Sequence, residues 1–134
     1  MKTVFVDTSG IYAVLDRDDA NHAASKPAWM QLAAEADLFT TNYILVETSA
    51  LVQHRLGTAA LRAFANDVVP LLRVAWVTEA EHRAAVEAVL AASRKKLSLV
   101  DCVSFEIMRE YGVQFAFCFD AHFREQGFRT IPAG

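Results

Sequence analysis

Twice the chain runs through a short apolar stretch and ends it with a carboxylate. Asp7 follows Val4-Phe5-Val6, and Asp120 follows the run from Val113 to Phe119; both runs read as short buried strands. Two further acids sit in the first turns of apolar helical segments, Glu47 in Asn42-Tyr43-Ile44-Leu45-Val46-Glu47 and Asp101 in Ser98-Leu99-Val100-Asp101. A carboxylate embedded in apolar sequence is costly to bury unless it is paired, protonated or bound to a cation. On one parallel α/β sheet these four would converge at the carboxyl ends of the strands, where such sheets bind ligands. Carboxylates without Cys or His partners form a hard, oxygen-donor set suited to Mg²⁺ or Mn²⁺.

The elements between these acids alternate. Strands are expected at Thr3–Val6, Leu38–Thr41, Leu71–Val77, Val113–Phe119 and Phe128–Ile131. Helices are expected from Ser9 to Leu15, from an Asn21 cap to Ala36 with Pro27 inside, and from an Asn42 cap to Gly57. Others run from Thr58 to Pro70, from a Thr78/Glu81 capping box to Ser93, and from a Ser98 cap to Gly112, with a last turn at 121–126. This alternation predicts α/β architecture with a mainly parallel sheet of about five strands.

Length and composition narrow the function classes. At 134 residues and 14.8 kDa, with no linker or repeat, residues 1–134 read as a single domain. No apolar stretch approaches the ~20 residues of a membrane span, and the start meets Asp7 too early for a signal peptide. Cys102 and Cys118 are too few for a disulfide framework and lack zinc-site spacing, so the expected compartment is a reducing cytoplasm. A net charge of −3 argues against a non-specific nucleic-acid coat protein but not against a nuclease, whose metal ions reverse the sign of an acidic pocket. The 54% hydrophobic content points to an interface, and a homodimer is expected, with a partner groove on the helices flanking Asp19 to Leu56 near Trp29, Leu32, Leu51 and Val52.

Each acid also has a plain structural explanation. Asp7 can cap the following helix, although Thr8 or Ser9 would serve as well. Asp101 completes an S/T-x-x-D capping box and suits the helix dipole, which leaves cap and ligand equally open. Glu47 has few solvated directions on a mostly apolar helix, while Asp120 can open a turn. All four explanations holding together requires coincidence. His22, His54, His82 and His122 lack metal-site spacing and most read as surface residues, and Trp29 and Trp76 read as core or interface anchors. No glycine-rich phosphate loop is present.

The segments 4–9 (Val4-Phe5-Val6-Asp7-Thr8-Ser9), 19–24, 41–47, 98–105, 117–123 and 127–129 together resemble PIN-domain proteins, particularly VapC-type ribonuclease toxins. The resemblance covers essentially the whole chain and implies a three-layer α/β/α fold. It implies that Asp7, Glu47, Asp101 and Asp120 are the catalytic, metal-binding acids, with Thr8 or Ser9 as the small polar neighbour of the first. Cys118 stands where many relatives carry a hydroxyl residue. It further implies divalent metal used to hydrolyse RNA, and a cognate antitoxin that holds a toxin inactive.

The reading that follows is a Mg²⁺- or Mn²⁺-dependent endoribonuclease of a type II toxin–antitoxin pair. Asp7, Asp101 and Asp120 would hold one or two ions, and Glu47 would either complete the shell or orient the attacking water. Arg94, Lys95 and Lys96 before the Asp101 helix, and Arg124 and Arg129 after Asp120, are expected to contact the RNA backbone. The alternatives are a receiver-like phosphoacceptor domain and a catalytically inactive PIN-like module that binds RNA or protein. Against the receiver stand Glu47 within a helix and a last strand without lysine. A haloacid-dehalogenase reading fails because Asp7-Thr8-Ser9 lacks the second aspartate that motif needs.

Overall fold

Five short strands pair side by side, all parallel: β1 (Thr3–Val6), β2 (Asp37–Thr41), β3 (Arg73–Ala75), β4 (Phe115–Phe117) and β5 (Arg129–Ile131). Their spatial order is β3-β2-β1-β4-β5. The computed structural model describes residues 1–94 and 96–133. The chain steps outward from β1 through β2 to β3, then returns to lay β4 on the other side of β1. That reversal is a topological switch point, and it opens a crevice between the carboxyl ends of β1 and β4.

The connecting helices are α1 (Thr8–Leu15), α2 (His22–Glu35), α3 (Asn42–Leu56), α4 (Thr58–Ala63), α5 (Glu79–Ala92), α6 (Leu99–Tyr111) and α7 (Ala121–Glu125). They form two layers because strand side chains alternate between faces. Phe5, Phe39 and Ala116 pack with Ala85, Val103, Ile107 and Phe123 from α5, α6 and α7. Val4, Val6, Leu38 and Phe117 pack with Ile11, Trp29, Leu32 and Phe64 on the α1, α2 and α4 side. Both faces are therefore dry, as an all-parallel sheet requires. The three-layer α/β/α fold expected from the resemblance is the fold observed.

Several local expectations need correction. Thr41, not Asn42, caps α3: its Oγ1 accepts from Ile44 N at 3.3 Å, while Asn42 Oδ1 accepts from Val77 N at 2.8 Å. β3 is shorter than 71–77 because it pairs only with β2, whose last residue, Thr41, lies opposite Ala75 and already begins α3. β4 is trimmed in the same way, since Val6 at the end of β1 lies opposite Phe117. The helix from Thr58 changes to a π turn at Phe64–Val68 and a 3₁₀ turn at Val69–Leu71 around Pro70. Trp29 is a core residue stacked on Phe117 at 5.9 Å, whereas Trp76 is 73% exposed. Trp29, Leu32 and Val52 are buried inside the domain and cannot line the partner groove expected of them.

Candidate active site

β1 ends at Val6, so Asp7 lies at the mouth of the switch-point crevice, with its backbone N–H donating to Phe117 O at 3.1 Å across to β4. Its carboxylate Oδ2 accepts from Ser9 N at 3.1 Å and from Ser9 Oγ at 2.6 Å, which caps α1. Ser9 Oγ in turn accepts from Phe119 N at 2.9 Å. One hydroxyl thus ties the first acid to the segment that carries the last. Helix α1 approaches β4 so closely that a Cβ on Gly10 would lie 2.5 Å from Phe117 O.

Burial pushes the Asp7 carboxyl up to about 7; the Ser9 hydrogen bonds oppose the shift, and repulsion from Asp101 and Glu47 adds to it. This is the electrostatic signature of a carboxylate kept in a dry, negatively charged place. Thr8, the other proposed polar neighbour, also lines the cleft, and its Oγ1 lies 2.9 Å from Thr48 Oγ1, one residue beyond Glu47, which fastens α1 to α3.

Asp101 makes the cap that the sequence left open, in a place that keeps it beside the other acids. Ser98 Oγ accepts from Asp101 N at 3.0 Å, and Asp101 Oδ2 accepts from Ser98 N at 3.2 Å, a complete capping box. The same side chain lines the cleft, and burial raises its carboxyl pKa against the Ser98 hydrogen bond, with Asp120 adding repulsion. Asp120 caps α7 by accepting from His122 N at 2.9 Å. A single cleft of about 690 Å³ is lined by Asp7, Glu47, Asp101 and Asp120, with Ser9 and Ser98 beside them.

One residue in this site was not expected from the sequence. His122 brings a ring nitrogen into a group with Asp101 and Asp120 whose ligand atoms all lie within 4.8 Å of one another. Its Nε2 is 3.1 Å from Lys96 O and 4.0 Å from Asp120 Oδ1, and its Nδ1 is 3.3 Å from Glu125 Oε2. Burial lowers the ring's pKa, but the Glu125 contact and the field of Asp120 and Asp101 outweigh it, so the net shift is upward. Asp120-Ala121-His122-Phe123 carried the signal: burial of Phe123 fixes the short helix, and that turns His122 inward. With four carboxylates and at most one imidazole, the donor set fits a hard divalent cation.

The basic residues divide. Lys96 lines the cleft, and Arg94 lies in the adjoining depression but gives its Nη1 to Glu125 Oε2 at 3.0 Å. Arg124 and Arg129 share a separate depression with Phe115 and Ile131, and Arg129 lies in register with Phe115 at the amino ends of the strands, 5.9 Å from its ring. Arg129 is therefore at the opposite edge of the sheet from the acids and does not line their approach. Lys95 lies outside the described residues. Cys118 is buried, with Sγ 3.9 Å from Asp120 O, so polar support for this segment comes from Ser9.

Comparison with known proteins agrees with this geometry. The family model for the PIN domain matches residues 4–129. A protein described as the 23S rRNA-specific endonuclease VapC20, from two strains of Mycobacterium tuberculosis, is 35% identical over 129 residues, covering 96% of this chain and 97% of the relative. The crystal structure of Mycobacterium tuberculosis VapC20, described as a Sarcin-Ricin loop cleaving toxin, is similar with a TM-score of 0.82 at 34% identity. That likeness covers 93% of this chain and 95% of the other.

Proposed function

The chain belongs to the PIN-domain family, and from that premise we propose that it is an endoribonuclease of the VapC toxin kind, using Mg²⁺ or Mn²⁺ held by Asp7, Glu47, Asp101 and Asp120. The observation that supports it best is the convergence of these four acids, from two strand ends and two helices, in one cleft at the switch point. Family membership removes the receiver-like reading. The inactive module remains as the outcome that the test below would reveal.

A divalent cation bound there supplies Lewis acidity toward the phosphodiester and lowers the pKa of water. The chain's own residues hold the geometry. Ser9 fixes the Asp7 carboxylate by two hydrogen bonds, and the Ser98 box fixes that of Asp101. Glu47 stands on α3 and is left either to complete the cation's shell or to orient the attacking water. Lys96 offers its ammonium to the RNA backbone at the cleft mouth.

The relatives' described substrate makes 23S rRNA, and its sarcin–ricin loop in particular, the first RNA to test. A cognate antitoxin, a homodimer and a cytoplasmic site of action belong to the same proposal. Among the described residues no helix is long and apolar enough to cross a membrane. Exposed Val46, Leu71 and Trp76 remain available for protein contacts.

The test is cleavage of ribosomal and synthetic RNA by the purified protein in Mg²⁺ and in Mn²⁺. Asp7→Asn and Asp101→Asn should each abolish cleavage while the far-UV spectrum and a cooperative melt persist. A wild-type protein that cuts no RNA with either ion, or an Asp101→Asn variant of normal turnover, would sink the reading.

A further inference from the structure

We propose that the α3 side of the cleft is a nucleobase subsite, with Leu51 and His54 determining which base is accepted next to the scissile phosphate. The proposal rests on the nuclease reading above and adds the substrate feature that this wall recognises: an unstacked base of single-stranded or looped RNA.

The argument begins with helical spacing. Ala50, Leu51 and His54 follow Glu47 at i+3, i+4 and i+7, so they share its face, and all three line the cleft. The buried residues of α3 are Ile44, Thr48 and Val52. Core packing therefore does not claim the Glu47 face: Leu51 is half-buried, and Ala50 and His54 are exposed. Among the described residues no side-chain hydrogen bond engages His54, so its ring is free to stack or to meet a base edge.

The two sides of the cleft differ in chemistry. Lys96 and Ser98 on the approach to α6 offer an ammonium and a hydroxyl, which suit phosphate and ribose. Ala50 and Leu51 offer neither charge nor hydrogen bonds, and a phosphate placed against them would lose solvation without compensation. A base has a flat apolar face and a polar edge, matching Leu51 and His54 in turn. The small side chain of Ala50 leaves room for it, and a cleft of about 690 Å³ is of the size that encloses a small ligand.

Distance sets which base is read. Along α3 the rise from Glu47 is about 6 Å to Leu51 and about 10 Å to His54. With the scissile phosphate at the acids, this wall covers the adjoining nucleotide rather than one farther along the strand.

The test maps cleavage ends in a randomised single-stranded RNA pool treated with wild type, Leu51→Ala, His54→Ala, His54→Phe and Lys96→Ala in Mn²⁺. Wild type should show a base preference at one position flanking the cut. Leu51→Ala and His54→Ala should reduce that preference ratio by about fivefold or more at that position alone. His54→Phe, which keeps a stacking face, should retain part of it, while Lys96→Ala should slow cutting at all sites without changing their rank. Exposed His54 keeps the test decisive even if Leu51→Ala folds poorly. Active variants with an unchanged preference, or a uniform loss at every site, overturn the subsite and leave the nuclease reading intact. A wild-type protein inert toward every RNA removes both.

Discussion

Thr8 Oγ1 and Thr48 Oγ1 lie 2.9 Å apart, both side chains buried, one residue beyond Asp7 and one beyond Glu47. This bond joins α1 to α3 and so sets the separation of two of the four acids. Replacing Thr48 by Val keeps the shape but strands the Thr8 hydroxyl in the interior. The expected loss is about 1–3 kcal/mol in urea unfolding, with reduced cleavage as Glu47 drifts. The double variant Thr8→Val, Thr48→Val should recover much of that stability; simple additivity would show that the hydroxyls do not depend on each other.

Asp7 gives the site a pH signature. Its folded carboxyl lies at about 7, against the ordinary value of 3.8, so folding takes up a proton between those limits. In the metal-free protein its contribution to stability falls as pH rises from about 4 to about 7 and is level above. Asp7→Asn lacks this slope, so the difference in melting temperature between variant and wild type, measured in EDTA, should widen in the variant's favour from pH 5 to pH 8. A cation held by Asp7 would have to displace the same proton, so on the proposed metal site Mn²⁺ affinity by titration calorimetry should weaken about tenfold per unit below pH 7. A pH-independent difference in melting temperature would show that Asp7 is already ionised in the folded chain.

Gly10→Ala should be among the most damaging small substitutions in α1. The added Cβ meets Phe117 O at 2.5 Å and Phe117 Cδ2 at 2.8 Å, and the first is backbone that cannot step aside alone. Forcing β4 from α1 is expected to cost about 3 kcal/mol. Cleavage should fall with it, because Asp120 follows β4. A variant as stable as wild type would mean that α1 can slide along the sheet.

Lys96 and Arg129 make a paired test of the RNA approach. With a non-catalytic ion such as Ca²⁺, Lys96→Ala should weaken binding across sequences and flatten the salt dependence by about 0.7 in slope. Arg129→Ala, at the far edge of the sheet, should change neither. Equal effects from both would place RNA on a surface other than the cleft.

How much of this was legible in the residues differs by level. The strand–helix alternation and the capping boxes at Thr78 and Ser98 follow from short-range chemistry, and the structure repeats them. The convergence of Asp7 and Asp120 could be anticipated because both end apolar strands of one parallel sheet. His122 could not, since its inward turn depends on the Lys96 carbonyl and Glu125 meeting the ring in space. Arg129 misled for the same reason: nearness to Asp120 in sequence is undone by Gly127, which reverses the chain so that β5 restarts at the opposite edge. Val52 and Trp29 read as partner-groove residues because helical periodicity identifies an apolar face without saying what covers it.

The strand order also fixes when the site can exist during synthesis. β1 and Asp7 are made before the rest of the sheet, yet the strand that flanks β1 and leads into Asp120 follows β2, β3 and helices α1 to α6. Until then Ser9 has no Phe119 amide to hold, and the crevice has a single side. A nascent chain or a fragment ending before β4 carries three of the acids and no enclosure for them. An activity directed at RNA therefore waits for β4 and the turn after it, whose synthesis gives the crevice its second side.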